Sequence, residues 1–164
     1  MSLIPLFVAQ RRAFEAAYQD GDWSRLEPFL LEDVVYEVMN MPFHCVVRGR
    51  DAVLAGFQRS VERFDKLCIR TVGIDSKIVE EGDNVLVHSG IRFERPGAPP
   101  TSTRLWEVAT YRDGVIERII DIYDPGASEA FEAWMARWGA NLDPTYVAPA
   151  VEVAPQISAV DTPG

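Results

Sequence analysis

The stretch that decides the fold is TRLWEVATYRDGVIERIIDIY, at residues 103–123. It contains two runs rich in β-branched and aromatic residues, at positions 103–112 and 115–123, a composition typical of β-strands. Only Asp113 and Gly114 separate the runs, and this pair is typical of a hairpin turn. Because a parallel crossover needs about a dozen residues or more, the stretch predicts two antiparallel strands.

Two more β-rich runs precede this hairpin, at residues 67–80 and 85–94. Turn residues follow each of them, and the second is followed by the proline-containing link at residues 96–100. The four runs therefore predict a long antiparallel meander. One earlier strand is predicted at residues 34–39, with a loop at residues 40–49 after it.

Apolar residues at helical spacing mark the other elements. Residues 1–20 predict an amphipathic helix that ends at Gly21, and a short second helix should follow it. A third helix is predicted at residues 51–65. A last helix should be capped by Ser128 and end at Gly139.

Helices followed by a meander predict the α+β class. We expect a cone-shaped, curved antiparallel sheet that wraps around the N-terminal helices and encloses one pocket. Residues 1–140 should form a single domain. The proline-rich tail at residues 141–164 is expected to be extended or disordered, with Tyr146, Val147 and Val151 available to dock on a neighbour.

The charge of the chain excludes several classes of partner. Acidic residues outnumber basic ones 25 to 16, which gives a formal net charge of -9. Such a chain repels phosphate backbones and anionic lipids, so neither nucleic-acid nor membrane binding is expected. The apolar run at residues 3–9 is too short to span a bilayer, and Arg11 and Arg12 follow it, which is the wrong order for a signal peptide. Cys45 and Cys68 match no metal or redox motif, so we expect free thiols in a cytoplasmic protein.

Four short strings carry a resemblance to a known family. They are EDVVY at residues 32–36, GRDAV at 49–53, DGVI at 113–116 and DIYD at 121–124. In these strings the chain resembles the SnoaL-like branch of the nuclear transport factor 2-like superfamily, which includes polyketide cyclases, ketosteroid isomerase and limonene-epoxide hydrolase. The resemblance implies the fold described above with a small-molecule pocket, but it leaves the reaction open because one scaffold hosts many chemistries.

The resemblance also implies roles for particular residues. The acid that shuttles a proton in polyketide cyclases corresponds to Asp121. The tyrosine that holds the attacking water in limonene-epoxide hydrolase corresponds to Tyr36. The asparagine of that enzyme falls at Val38, unless Asn40 substitutes from two residues further along the same face.

Other positions depart from the patterns of these relatives. The arginine of limonene-epoxide hydrolase and its aspartate partner fall at Gly90 and Arg92, so epoxide opening by that mechanism is not expected. In the ketosteroid isomerase pattern the base falls at Val38 and the helical tyrosine at Phe14. Glu107 corresponds to the carboxyl oxyanion donor of the isomerase.

Side-chain alternation in the strand at residues 85–94 predicts which groups face the pocket. His88, Gly90 and Arg92 share one face, and we expect this face to line a partly polar pocket, in agreement with the resemblance. The opposite, mostly apolar face carries Val85, Val87, Ser89, Ile91 and Phe93. That face would need cover, so a homodimer through the outer sheet face is predicted.

The register of the hairpin determines what lies opposite Asp121. If the link is a three-residue loop, Leu105 lies opposite Asp121, and Glu107 is its diagonal neighbour about 7 Å away. If the link is a two-residue turn, Trp106 lies opposite instead. We expect the first arrangement because it agrees with the family pattern.

Asp121 lies between isoleucines, where an ionised carboxylate is costly without a partner. Burial and a nearby Glu107 would raise its pKa, whereas Arg92 or His88 would lower it. A carboxyl group that titrates near neutral pH is a good general acid or base, so Asp121 is the candidate catalytic residue. The structural alternative is an ion pair with Arg92 or a hydrogen bond to Tyr36.

Six further residues are candidates for binding a substrate: Tyr36, Asn40, His88, Arg92, Leu105 and Glu107. Three glutamates are expected to be ordinary solvated helix charges: Glu15, Glu129 and Glu132. No cofactor or metal is expected, because no phosphate-binding loop, Ser-His-Asp arrangement or His/Cys cluster is visible.

These observations predict an enzyme that acts without a cofactor on a small apolar or partly polar molecule. Proton transfer through Asp121 would serve an isomerase, cyclase, lyase or hydrolase. The alternative is a non-catalytic ligand-binding or protein-interaction domain of the same fold.

Overall fold

The computed structural model describes residues 1–149. Its helices are α1 (Ile4–Asp20), α2 (Arg50–Arg63) and α3 (Ala127–Trp138), with short 3₁₀ helices at Trp23–Phe29 and Asp65–Leu67. Gly21 ends α1 as predicted, because its φ of 79° lets its N–H bond back to the carbonyl oxygen of Ala17. Gly126 rather than Ser128 precedes α3, so Ser128 lies inside the first turn and makes no capping bond.

Six strands form one open, curved sheet. They are β1 (Leu30–Met39), β2 (Cys45–Arg48), β3 (Ile69–Glu81), β4 (Asn84–Glu94), β5 (Thr101–Arg112) and β6 (Val115–Tyr123). The order across the sheet is β2-β1-β6-β5-β4-β3. The predicted meander is confirmed as β3 to β6, and β2 is a short strand inside the segment that was expected to be a loop.

One strand pair differs in direction from the others. β1 and β6 are parallel, whereas the remaining neighbours are antiparallel. The long chain between β1 and β6 supplies the crossover that a parallel pair requires. The pairing sets Tyr36 beside Ile119 and Val38 beside Asp121, so it brings the first and last strands together at the candidate acid.

The β5–β6 link is a two-residue turn rather than the expected three-residue loop. Asp113 and Gly114 have φ values of 55° and 77°, and Arg112 pairs with Val115. Positive φ at both central residues is typical of the type I′ hairpin turn, which an aspartate–glycine pair favours.

A β-bulge at Glu117 then shifts the register of the hairpin. Beyond it, Glu107 lies directly opposite Asp121, and Leu105 lies opposite Tyr123. The predicted pairing of Leu105 with Asp121 is therefore wrong by two residues. Since a two-residue shift preserves side-chain parity, Asp121 and Glu107 still share one face of the sheet.

The hydrophobic core lies between the helices and the inner face of the sheet. Helical side chains in it include Phe7, Ala17, Val53 and Phe57, all nearly inaccessible to solvent. The strands contribute the following buried residues: Val34, Tyr36, Val38, Val85, Leu105, Ala109, Ile116 and Ile119. No helix in residues 1–149 is long and apolar enough to cross a bilayer.

The C-terminal segment, residues 141–149, forms no helix or strand but packs against α2. The Asp143 carboxylate lies 2.6 Å from the Arg59 guanidinium, and the Asp143 N–H bonds to the carbonyl oxygen of Arg63 at 3.0 Å. Tyr146, which was expected to contact a neighbour, instead packs inside its own domain. The rest of the predicted tail, including Val151, lies outside the described residues.

Candidate active site

A cavity of about 320 Å³ opens between the inner face of the sheet and helices α1 and α2. We call it the main cavity. Its apolar wall includes Phe7, Phe14, Phe57, Ile119, Tyr123 and Tyr146. Its polar wall includes Gln10, Arg11, Glu15, Tyr36, Asp65, Arg70, Glu107 and Asp121. A smaller hollow of about 70 Å³, the side cavity, lies next to it and is mainly aromatic.

Asp121 of β6 is buried in the wall of the main cavity, with only 8% of its surface exposed. The Tyr36 hydroxyl donates a hydrogen bond to its Oδ2 at 2.6 Å. Its Oδ1 accepts no hydrogen bond from any side chain or backbone group in residues 1–149. Glu107 occupies the directly opposite position on β5. Asp121 thus has one oxygen that accepts a hydrogen bond from Tyr36, one oxygen without a partner in residues 1–149, and Glu107 as an acidic neighbour.

The surroundings of Asp121 shift its protonation toward neutral pH. Burial raises the pKa of Asp121 to about 7, and the negative charge of Glu107 acts in the same direction. The hydrogen bond from Tyr36 and the positive charge of Arg11 lower this pKa by a smaller amount. Burial also raises the pKa of Tyr36, so its phenol stays protonated and serves as a donor.

From Glu107 onward, charged side chains of alternating sign line the main cavity. Arg11 of α1 places Nη1 3.5 Å from Oε2 of Glu107, and its Nη2 lies 3.8 Å from Oε1 of Glu15. Arg70 of β3 donates a hydrogen bond to Glu15 and also lies 3.6 Å from Oδ2 of Asp65. Burial raises the pKa of Asp65 to about 7, although Arg70 acts to lower it.

His88 and Arg92 do not line the main cavity, so the prediction that they face it is wrong. On the outer face, His88 Nε2 lies 3.1 Å from both carboxylate oxygens of Asp124, and its ring stacks on Trp106 with centroids 4.7 Å apart. Arg92 bonds to Glu94 at 2.9 Å. The cavity-lining face of β4 carries Val87, Ser89 and Ile91. The apolar face of this strand points inward because it covers the core, and the polar face meets solvent.

Asn40 and Leu105 also differ from expectation. Asn40 follows β1 in a left-handed conformation with φ 64°, and its side-chain amide donates to the carbonyl oxygen of Tyr123 at 3.1 Å. It is exposed and does not line the main cavity. Leu105 does line the cavity, but as the cross-strand partner of Tyr123 rather than of Asp121.

Several residues of the site were missed from the sequence. The sequence patterns do not indicate Arg11, Asp65 or Arg70, and Glu15, predicted to be a solvated helix charge, accepts a hydrogen bond from Arg70. A signal was present at Gln10, which interrupts the apolar stripe of α1 and is only 2% exposed. Because buried polar groups normally have hydrogen-bond partners, a glutamine in a buried stripe indicates polar surroundings, and Gln10 lines the main cavity.

The side chains offer little for a metal ion. In the part of the chain that the structure describes, no three His, Cys, Asp or Glu side chains are grouped to hold one. Cys45 and Cys68 are free thiols, both half-buried. Burial raises the pKa of Cys45 to about 11, so this thiol keeps its proton at neutral pH and is a poor metal ligand or nucleophile.

Comparison with known families decides the classification of this fold and cavity. The family model for the SnoaL-like domain matches residues 11–119. The chain belongs to the SnoaL-like domain family. No curated protein matches this SnoaL-like chain at a significant level.

Several solved structures share the fold of this SnoaL-like domain at low sequence identity. An NTF2-like protein from Burkholderia xenovorans is 18% identical with a TM-score of 0.61, and the match covers 79% of this chain and 95% of that one. A proposed polyketide cyclase from Xanthomonas campestris is 20% identical with a TM-score of 0.53, covering 82% and 98%. A protein from Catenulispora acidiphila with a ketosteroid isomerase-like fold, in complex with trimethylamine, is 21% identical with a TM-score of 0.57, covering 79% and 95%.

Proposed function

We propose that this SnoaL-like domain is an enzyme that transfers a proton on a small, mostly apolar molecule without a cofactor, with Asp121 as the acid–base group. The observation that carries the proposal is the Asp121 carboxyl in the wall of the main cavity, bound by Tyr36 on one oxygen and unpaired on the other. A pKa of about 7 lets Asp121 both accept and return a proton at neutral pH.

The proposed chemistry uses the residues in separate roles. The Asp121 carboxylate removes a proton from a carbon next to a carbonyl group, and the bonding electrons move onto the carbonyl oxygen. Arg11, the guanidinium beside Glu107, stabilises the negative charge that develops there. Neutral Asp121 then returns the proton to another atom in an isomerisation or cyclisation. Tyr36 orients the carboxyl throughout.

The walls of the main cavity support a mostly apolar substrate that carries an oxygen. Aromatic rings from α1, α2, β6 and the C-terminal segment surround the space. The charged groups are linked to one another by a series of ion pairs. A volume of about 320 Å³ is at the lower end for small-molecule sites. The kinship with a proposed polyketide cyclase and with a ketosteroid isomerase-like fold supports cyclase or isomerase chemistry.

Asp121→Asn tests this proposal because the amide keeps the shape of the side chain but cannot shuttle a proton. The measurement is deuterium uptake from D2O at the carbon next to the carbonyl in a panel of cyclic ketones, followed by proton NMR. We expect the variant to lose about a hundredfold or more of the wild-type rate. Asp124→Asn, which removes an acid on the outer face beside His88, should exchange at the wild-type rate. Equal rates in wild type and Asp121→Asn would exclude the proposed proton shuttle.

The alternative function, a ligand-binding domain without catalysis, gives a different result in the same experiment. A compound that stays bound through purification and is recovered unchanged, with no deuterium uptake, would favour it. A pure protein-interaction role would favour a cavity filled by side chains. The open main cavity with its charged wall does not support that role.

We further propose that the chain forms a homodimer through the outer sheet face. The apolar residues first assigned to that face point inward, but a different apolar row crosses it. Met39 pairs with Ile122, and Ile122 pairs with Trp106. Met39 and Trp106 are 40% and 37% exposed. Trp106→Glu should convert the dimer to monomer in sedimentation velocity, whereas Val147→Glu, at an exposed apolar position outside the sheet, should not. A monomeric wild type would refute the proposal.

A further inference from the structure

The C-terminal segment, which lies beyond the residues matched by the family model, supplies part of the cavity wall. It is fixed to α2 by several polar contacts. The Arg59 guanidinium bonds to the Asp143 carboxylate at 2.6 Å, and the Ser60 hydroxyl donates to the carbonyl oxygen of Pro144 at 3.3 Å. Thr145 donates to Asp143 from both its N–H and its hydroxyl. These bonds determine where Tyr146 enters the fold.

Gly56 of α2 allows the segment to approach closely. A Cβ atom at this position would lie 3.1 Å from the carbonyl oxygen of Tyr146 and 3.4 Å from its Cβ. Glycine costs up to about 1 kcal/mol in a helix interior relative to alanine. Glycine at this point of α2 therefore lets the backbone of Tyr146 pack closely against the helix.

Tyr146 lines both hollows. Its ring packs edge-on against Tyr36 with centroids 4.9 Å apart, and the rings of Phe43 and Phe57 lie 6.3 Å and 6.4 Å away. Five residues line both the main cavity and the side cavity: Ser60, Asp65, Ile91, Tyr123 and Tyr146. Of these five, only Tyr146 comes from the irregular C-terminal segment, and it contacts the residue that bonds to Asp121.

We propose that Tyr146 is a specificity-determining residue that limits the size of the ligand by separating the main cavity from the side cavity. The proposal rests on the small-molecule function proposed for the main cavity. Removing the ring joins about 70 Å³ of aromatic-lined space to the main cavity of about 320 Å³, in addition to the volume of the ring itself. Larger ligands then gain apolar contacts that smaller ligands cannot reach.

The test compares two fluorescent aromatic alcohols of different size, 2-naphthol with two fused rings and 1-hydroxypyrene with four. Their dissociation constants are measured by fluorescence titration on the full chain. In Tyr146→Ala we expect the preference for 1-hydroxypyrene over 2-naphthol to rise at least about tenfold relative to wild type, the range of a modest change in a hydrophobic pocket. Tyr146→Phe, which keeps the ring, and Val147→Ala, an exposed neighbour, should retain the wild-type preference.

Other results would overturn the proposal. An unchanged preference in Tyr146→Ala, or an equal loss of affinity for both alcohols, shows that the ring does not limit size. If Tyr146→Ala fails to fold, Asp143→Asn replaces it, since loosening the segment should shift the preference in the same direction. If neither wild type nor variant binds either alcohol, the size-limiting role is rejected. Deuterium uptake in Asp121→Asn judges the proton-transfer function separately.

Discussion

Asp121 and Glu107 occupy directly opposed positions on neighbouring antiparallel strands, where two negative charges repel each other. The two carboxyl groups have different partners. Arg11 lies 3.5 Å from Glu107, whereas Asp121 receives its hydrogen bond from the neutral Tyr36 phenol. Glu107 thus has a cation beside it, whereas the only hydrogen-bond partner of the Asp121 carboxyl within residues 1–149 is a neutral phenol. Burial raises the pKa of Asp121 to about 7, and the negative charge of Glu107 acts in the same direction.

Two substitutions should shift the titration of Asp121 in opposite directions. Arg11→Gln removes a positive charge that lowers the pKa of Asp121, so the pKa should rise. Glu107→Gln removes a negative charge that raises it, so the pKa should fall. Carbon-13 NMR of the Asp121 carboxyl carbon measures both shifts, and we expect each to be about one pH unit, the effect of a charge a few ångströms away. In the deuterium exchange assay the pH at which the base becomes active should shift in the same way.

Arg12→Gln is the control for the first substitution, because Arg12 is exposed on the same helix and does not line the main cavity. In Arg12→Gln the titration curve of Asp121 should match that of wild type. A fall in the pKa of Asp121 in Arg11→Gln, or a rise in Glu107→Gln, would contradict the arrangement of charges described here.

The sequence predicted the strand residues of the site better than the helical ones. Asp121 and Glu107 stand out because each is an acid in an apolar strand with period-two alternation. Arg11 and Arg70 do not, because long cationic side chains are common on exposed surfaces and reach a cavity only once the helix and sheet are placed. The error at His88 has a different cause: alternation defines two faces of a strand but does not say which face points inward.

At the scale of elements, the β5–β6 hairpin shows why register was harder to predict than strand position. The composition of the two strands and the turn pair are local signals, and β6 has the predicted bounds. The bulge at Glu117 has no signal in the local sequence, because a bulge increases the twist of a strand and depends on how the whole sheet is twisted. The pairing of Glu107 with Asp121 therefore follows from the tertiary structure.

The contact between Asp143 of the C-terminal segment and Arg59 of α2 gives a prediction about stability. Burial alone would raise the pKa of Asp143, but hydrogen bonds from Thr145 and the charge of Arg59 hold it below its usual range. Such a carboxylate stabilises the fold above its unfolded-state pKa, and this contribution is lost as the pH falls through the lowered value. Asp143→Asn should therefore destabilise the protein by about 1 kcal/mol or less at pH 7, given partial exposure of the pair, and by less near pH 3.

Urea unfolding at the two pH values measures this difference, and hydrogen exchange at Thr145 and Tyr146 should show local loosening at pH 7. Glu132→Gln, which removes an exposed acid on α3, is the matched control and should change neither quantity. Faster exchange spread over the whole sheet, rather than confined to the segment, would contradict a local role for Asp143.

The order of helices and strands was predictable, because amphipathic period and turn residues are properties of short windows of sequence. The α+β class follows from that order, whereas the resemblance to the SnoaL-like family rests on the four short strings, and both are confirmed. The parallel pairing of β1 with β6 and the short strand β2 were not predicted, because each depends on contacts between segments far apart in the chain. The parallel pairing brings β1 next to β6, and the Tyr36 hydroxyl then donates to Asp121, the hydrogen bond that the sequence indicated as a structural alternative.

The fold as a whole should become less stable as the pH rises toward neutrality. Burial raises the pKa values of Asp65 and Asp121 from 3.8 to about 7. Between these values the folded protein holds protons that the unfolded chain releases. The stabilisation is therefore complete below about pH 4 and is lost as the pH passes through about 7. With about 1.4 kcal/mol for each pKa unit, the loss can reach about 4 kcal/mol for each group.

Urea unfolding followed by circular dichroism at pH 5, 6, 7 and 8 measures this slope. Asp65→Asn and Asp121→Asn should each flatten it and raise the midpoint at pH 8, because neither amide can ionise, while Asp124→Asn should leave the slope as in wild type. A wild-type midpoint that stays constant or rises from pH 5 to pH 8 would contradict the burial of two ionisable carboxyls. If the midpoint falls with pH and only Asp65→Asn removes that fall, the negative charge of Asp121 must be stabilised in the folded protein. That result would weigh against Asp121 as the proton carrier. The acid that gives the main cavity its chemistry is thus expected to destabilise the fold at the pH where it works.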